Sequence, residues 1–281
     1  MNTRGLRILN VLLNRYEISE KKELLKFLPS KFQEELSAQD LPFSAIAPLL
    51  FQHQHTLEKL HYSWLEEPLK IFPDEIKALL ISSLLPFQRK GLQADFKVFT
   101  FLPSSIKNFF KTKVFQFLKI ESVLPVEFLP QSELAILLQM DKEKLVEIID
   151  FLGLYDLAAH VRKIVNPNHL KKIYTALSPK EFHFLKLCIN AKEKLSSPPI
   201  EIDIAKSSPA AIKKNIHKRG LARLARALSE EHQDFVWHLA HTLDRGRGKI
   251  LQEQFHPGKN HLITSFLRQH VVNVINFLKK D

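Results

Sequence analysis

Apolar residues recur at intervals of three and four along almost the whole chain, and this period of about 3.6 residues restricts the fold more than any other feature. Leu6, Leu9 and Leu13 open the series, and Ile106, Phe109, Phe110, Val114 and Leu118 continue it. Leu221, Leu224, Ala225 and Leu228 follow, then Phe235, Leu239 and Leu243, and Ile263, Leu267, Val271, Val274 and Leu278 close it. Only 7 of the 281 residues are glycine, so there is little material for the tight turns of an all-β chain or for phosphate-cradling loops. The expected fold is all-α: a multi-helical bundle or stacked helical hairpins, in one body or two packed lobes, because the length exceeds the ~150 residues usual for one domain.

Local signals place several helix ends. Pro73 fits a first-turn position ahead of Ile76, Leu79, Leu80 and Leu84. Asp141 can cap a helix carrying Leu145, Ile148 and Ile149, and Gly153 offers a left-handed stop before a second short helix beginning at Leu154. Asn166-Pro167 reads as a cap followed by proline at the first helical position, and Ser178-Pro179-Lys180-Glu181 as a capping box. From Lys192 to Pro209 the period lapses into Lys, Ser and Pro, with a brief alternation over Ile200–Ile204 that suits a short strand or an extended crossing. The expected organisation is an N-terminal and middle helical region over 1–191, a linker over 192–209 and a basic helical region over 210–281. The final helix has Phe266 and Phe277 beside its main apolar stripe, so it must be buried or docked.

Composition bounds the setting. The single Cys188 cannot form an internal disulfide and points to a reducing compartment, and it sits in an apolar run that suits a packed thiol. The first residues lack the apolar core of a secretion signal. The most apolar run, 78–87, falls short of the ~20 residues of a membrane span. A cytoplasmic protein is expected. The net charge of +11 is uneven: residues 1–159 carry 19 Lys+Arg and 20 Asp+Glu, a balance of −1, while 160–281 carry 22 and 10, a balance of +12. A basic half suits an acidic partner, whether protein face, anionic lipid or nucleic acid.

No nucleophile elbow, zinc-protease helix or dinucleotide loop is present, so no catalytic, cofactor or metal residue is nominated, and a non-enzymatic chain is expected. His53 and His55, two residues apart, would put their rings on different faces of a helix, where a ligand pair needs a spacing of three or four, so His53, His55 and His61 with Glu58 read as a solvated surface. Asp234, His238 and His241 share a helix face without a convincing fourth ligand and read as a polar stripe. Arg245, Arg247 and Lys249, spaced by Gly246 and Gly248, read as a basic loop able to grip a carboxylate-rich surface. A second basic run, Lys213, Lys214, His217, Lys218, Arg219, Arg223 and Arg226, reads as the charged outer face of a helix. Arg245, Arg247, Lys249, Arg223 and Arg226 are therefore the candidate partner-binding residues. The alternative reading is a helical nucleic-acid binder using this basic half, although the run lacks aromatics for stacking bases.

The segment 60–65, Leu-His-Tyr-Ser-Trp-Leu, with the proline-led helix at 72–80, resembles the K subunit of type III secretion sorting platforms. Leu152-Gly153-Leu154-Tyr155-Asp156-Leu157-Ala158, Val161 to Ile164, Leu170, Leu177 and Phe182 to Leu185 are similar to the middle of the same family, so the resemblance covers roughly 55–190. The stretch 221–231, with Phe235 and 245–255, is similar to the charged helical repeat of the G family of flagellar motor switch proteins, although it is mainly basic where that repeat alternates acids and bases. The resemblance implies a cytoplasmic adaptor at the inner-membrane face of a secretion apparatus, joining the ring D subunit to the platform Q subunit.

Overall fold

The computed structural model describes residues 18–37, 59–92, 102–118, 126–191, 207–258 and 260–279, with Leu9, Leu13, Leu57, Phe99, Val123 and Leu124 besides. Among these residues every regular element is helical, and the fold is all-α. None of the helices is long and apolar enough to cross a membrane. The alternation at Ile200–Ile204, along with His53, His55 and Glu58, lies outside the described residues. Two compact units divide the chain, Met1–Leu129 and Pro130–Asp281. The boundary thus falls at Leu129, not at 192–209, because the helices on either side of 192–209 share one core.

In the first unit, helix α1 (Ile18–Leu25) is followed after a turn by α2 (Ser30–Ser37). Leu25 of α1, Leu36 of α2 and Leu13 ahead of them are buried together, with Leu9, Leu28 and Phe32 packed alongside. Further on, a 3-10 turn at Tyr62–Trp64 leads into α3 (Glu66–Lys70), α4 (Asp74–Ser83) and α5 (Pro86–Gly91), and α6 (Ser104–Leu118) packs on α3 and α4. His61 is not on a solvated surface. It is buried at the N-cap of the 3-10 turn, where its ring accepts from the Ser63 N–H at 3.3 Å and stacks at a tilt on Tyr62. The fully buried Gln88 ties α5 to the residues just before this turn by donating to the carbonyls of Leu57 and Leu60 at 2.7 and 2.9 Å. A side chain at Gly91 would strike the Tyr62 ring, which is why that helix ends in a residue without one.

The second unit is built around α7 (Lys142–Val161). Asp141 caps it by accepting from the Lys144 N–H at 2.9 Å. Every residue from Phe151 to Ala158 is buried, the condition of a helix surrounded by others. Its neighbours include α9 (Pro179–Asn190), α10 (Pro209–Ala227) and α13 (His261–Leu278). The pair α11 (Gln233–Thr242) and α12 (Arg245–Gln254) pack on each other, and α12 on α10. Helix α8 (Pro167–Ala176) starts from the Asn166 cap with Pro167 in its first turn, and α9 from the reciprocal Ser178–Glu181 capping box. Arg162 holds the far end of α9, donating to the carbonyls of Cys188 at 2.7 Å and Ile189 at 2.9 Å and to that of Ala191. These carbonyls have no partner inside the helix, and a cation suits the negative end of its dipole. Cys188 is buried on the inner face.

Gly153 does not stop a helix. α7 runs through it, and the glycine serves the crossing with α10 instead. A Cβ on Gly153 would lie 2.0 Å from the Ile216 carbonyl oxygen, and one on Gly220 only 1.7 Å from the Ile149 carbonyl oxygen. The two backbones touch at a pair of glycines, which lets Leu145, Ile148, Leu152, Ile212, Ile216, Leu221 and Leu224 bury around the contact.

Candidate functional site

The polar groups of the second unit fall into two sets, one spent inside the fold and one left at its surface. The innermost set sits where α7, α10 and α13 meet. Asp156, 6% exposed, accepts from Arg223 Nε and Nη2, both at 2.7 Å, and from Arg219 Nε at 2.6 Å. Arg223, also 6% exposed, donates through Nη1 to His270 Nδ1 at 2.8 Å, and the His270 ring lies flat on Tyr155 with centroids 3.9 Å apart. Arg223 is therefore not a partner-binding residue on an outer face. It is a buried cation whose charge is matched by Asp156, as a buried guanidinium must be.

A second chain of polar contacts joins α7, α10 and α12. Asp150 Oδ1 lies 2.6 Å from His217 Nδ1, His217 Nε2 accepts from Arg247 Nε at 2.8 Å, and Arg247 Nη1 donates to Asp244. Asp244 also caps α12 by accepting from the Arg247 N–H at 3.2 Å. Burial would raise the Asp244 carboxyl, but the hydrogen bonds and charge of Arg247, with that of Lys142, hold it below its usual range. The stretch 245–249 is accordingly no loop. It is the first turn of α12, with Gly248 buried, and Asp244 supplies the cap that outweighs two poor helix formers. The sequence reading missed this because the Asp244 cap is followed by Arg-Gly-Arg-Gly, a pattern that also suits a turn.

The surface set is what remains. Lys213, Lys214, Lys218 and Arg226 on α10 and Lys249 on α12 are exposed, while Arg245 and Arg247 are half-buried. Lys213 reaches Glu181 at 3.4 Å. Lys214 and Lys218 stand one turn apart on the outer side of α10.

Beside the innermost network a groove of about 620 Å³ opens between α7, α9 and α13. Tyr155, Phe184, Leu187, Cys188, Phe266 and Phe277 give it an apolar wall, and Gln269, Asn273 and Asn276 an amide rim along one side of α13. Its lining suits an uncharged apolar side chain. No protein-family model, curated protein or solved structure matches the chain.

Among the described residues no group of three or more His, Cys, Asp and Glu could hold a metal ion. Asp234, His238 and His241 do not form a shared polar stripe, because His241 is buried, stacks on Trp237 at 3.8 Å and lies 2.7 Å from the Trp237 carbonyl oxygen. Burial pushes His241 down to about 4, the Trp237 carbonyl opposing this and His238 adding to it. Burial likewise pushes His270 down to about 4, with the Arg223 charge adding and Asp156 opposing. Both rings are neutral when folded near pH 7 and titrate near 6.5 when unfolded. Between about pH 4 and 6.5 the unfolded chain binds more protons, so stability is fully present above 6.5 and is lost as pH falls. The loss at pH 5 should be on the order of 2 kcal/mol for each histidine. Melting curves at pH 7 and pH 5 test this: the midpoint should drop clearly in the native chain and much less in a His241→Gln, His270→Gln variant.

Proposed function

We propose that the chain is a helical adaptor that works by binding proteins, with an acidic partner face docking on the basic outer surface of its second half. One observation carries this reading. Internal carboxylates take up Arg219, Arg223 and Arg247, yet Lys214, Lys218, Arg226 and Lys249 stay exposed, so the charge surplus of residues 160–281 is presented to solvent. A lysine-rich face of this kind steers and orients an acidic partner. The resemblance of residues 55–190 to the K subunit of type III secretion sorting platforms supports the same reading. It suggests the partners: the cytoplasmic domain of the inner-membrane ring D subunit and the platform Q subunit, met at the cytoplasmic face of the inner membrane. An adaptor needs rigid helical faces and no reacting group, and the titratable clusters of the second unit tie helices together.

Co-purification with these two subunits tests the proposal, using the native chain and a Lys214→Glu, Lys218→Glu, Lys249→Glu variant. Reversal adds repulsion as well as removing attraction, so association should weaken at least tenfold while the melting temperature stays within a few degrees. Full binding by a folded variant would remove the basic face from the interface. The nucleic-acid reading uses the same lysines and is separated by salt: a duplex of random sequence bound at low salt, with affinity falling steeply as salt rises, would replace the adaptor reading.

A further inference from the structure

The groove between α7, α9 and α13 holds a polar group that the fold leaves unused. His270 lines this groove and is 6% exposed. Arg223 Nη1 donates to Nδ1 of the ring at 2.8 Å, and a guanidinium cannot accept in return. Nδ1 is therefore the acceptor, and the proton of the neutral ring sits on Nε2. Nε2–H has no partner among the described residues. Tyr155 stacked on the ring and Phe266 edge-on to it fix the direction of this donor. A buried donor left unmade is costly, and a carbonyl oxygen in the groove would complete it.

The rim repeats the same pattern. Gln269 Nε2 donates to Asn273 Oδ1 at 3.0 Å, which leaves Gln269 Oε1 as an acceptor beside Asn273 Nδ2 as a donor, both residues being exposed. Asn276, exposed as well, offers one of each. A donor beside an acceptor is the complement of a peptide unit, with its one N–H and one C=O. Counted along the helix axis, the pair and Asn276 are about 7.5 Å apart, close to the ~6.6 Å covered by two extended residues. None of the side chains lining the groove carries a charge when His270 is neutral, although residues 160–281 hold 22 Lys+Arg and 10 Asp+Glu. Arg223 and Arg162, which donate to lining residues, are committed to Asp156 and to the carbonyls ending α9. A charged occupant would lose hydration here without gaining a counter-ion.

We propose that this groove binds an extended, uncharged peptide segment of a partner protein, with a main-chain carbonyl accepting from His270 Nε2–H and further peptide units pairing with Gln269, Asn273 and Asn276. Alternate side chains of such a segment point the same way, and apolar ones fill the space between Phe184, Phe266 and Phe277. The proposal rests on the adaptor reading only in that the occupant is a protein. It uses a face without charge, where that reading uses the lysines of α10 and α12.

The full chain should be titrated with capped fluorescent heptapeptides that alternate threonine with phenylalanine, leucine or tryptophan. Copies with glutamate in place of threonine, and copies methylated at the main-chain nitrogens, serve as comparisons. At least one threonine peptide should bind with a Kd below about 1 mM, and both of its copies at least tenfold more weakly. Leu187→Glu, which brings a charge to a 48% exposed position on the wall, should weaken binding at least tenfold with the melting temperature unchanged. So should the double change Gln269→Ala, Asn273→Ala. His270→Phe keeps a ring against Tyr155 without the donor and should act alike; should it disturb folding, the variants at exposed positions decide. The Lys214→Glu, Lys218→Glu, Lys249→Glu chain should bind the peptide normally, so this site and the basic face stand or fall separately. No binding by any of the three peptides, equal binding of the methylated copy, or indifference to the groove variants would overturn the proposal. So would binding of N-acetylphenylalanine amide as tight as that of the peptide, which would make the groove a small-molecule site. Self-association in light scattering that Leu187→Glu abolishes would give the groove to a second copy and overturn it as well.

Discussion

Asp156→Ala is expected to destabilise the second unit by about 3–5 kcal/mol, the range for removing one partner of a buried ion pair. The carboxylate accepts from both Arg223 and Arg219, and its loss leaves Arg223 charged, 6% exposed and beside a histidine that must stay neutral. Guanidinium cannot relieve this by giving up its proton. A protein is typically stable by only about 5–15 kcal/mol, so this substitution alone is enough to bring the unit towards the edge of unfolding. The cost should be a property of the pair and not of the site. In Asp156→Leu, Arg223→Met both charges leave together, apolar side chains fill the space, and much of the lost stability should return. Urea unfolding of the single and double variants measures the coupling. If Asp156→Ala cost less than about 1 kcal/mol, the network would not bear on stability as its geometry demands.

Gly220→Ala is the second change with a large expected effect, and its sign is diagnostic. At an exposed position inside a helix, replacing glycine with alanine stabilises by up to about 1 kcal/mol. Here the new methyl would lie 1.7 Å from the Ile149 carbonyl oxygen, a backbone atom that no rotamer change can move. The helices α7 and α10 must part, and the side chains buried around the crossing lose contact together. A destabilisation of about 3 kcal/mol, at the upper end for overpacked cores, is expected. Gly246→Ala in the first turn of α12 is the control: its Cβ would meet only Asp244 Oδ1 at 3.4 Å, so the change should be neutral or slightly stabilising. Thermal melts of the two variants decide the matter, and equal behaviour would show that the glycine contact between α7 and α10 is not tight.

The two variants also mark where reading the chain residue by residue succeeds and where it stops. The caps at Asp141, Asn166 and Ser178 are legible because each is settled by groups two or three residues away: a side-chain oxygen, a backbone N–H and, for Ser178, the returning Glu181. The buried faces of α10, α11 and α13 are legible from their period, as Leu221, Leu224, Phe235, Leu239, Val271 and Val274 confirm. The inward position of Cys188 follows from the same apolar run.

Gly153, Arg223 and the stretch 245–249 read differently in sequence and in structure, and the reason is common to all three: their partners are remote in the chain. Gly153 looks like a helix stop until Ile216, 63 residues on, lays its carbonyl against it. Arg223 looks like one more surface cation in a basic run until Asp156, 67 residues back, takes its charge. Arg247 is held through His217 to Asp150 on a third helix. Helical period and capping chemistry are short-range properties, so the amino-acid sequence by itself determined an all-α chain, several of its helix ends and the charge surplus of its second half. Which cations are buried and which face solvent depends on how α7, α10, α12 and α13 pack, because a charge stays inside only where a carboxylate from another helix meets it. That selection was made by the tertiary structure alone.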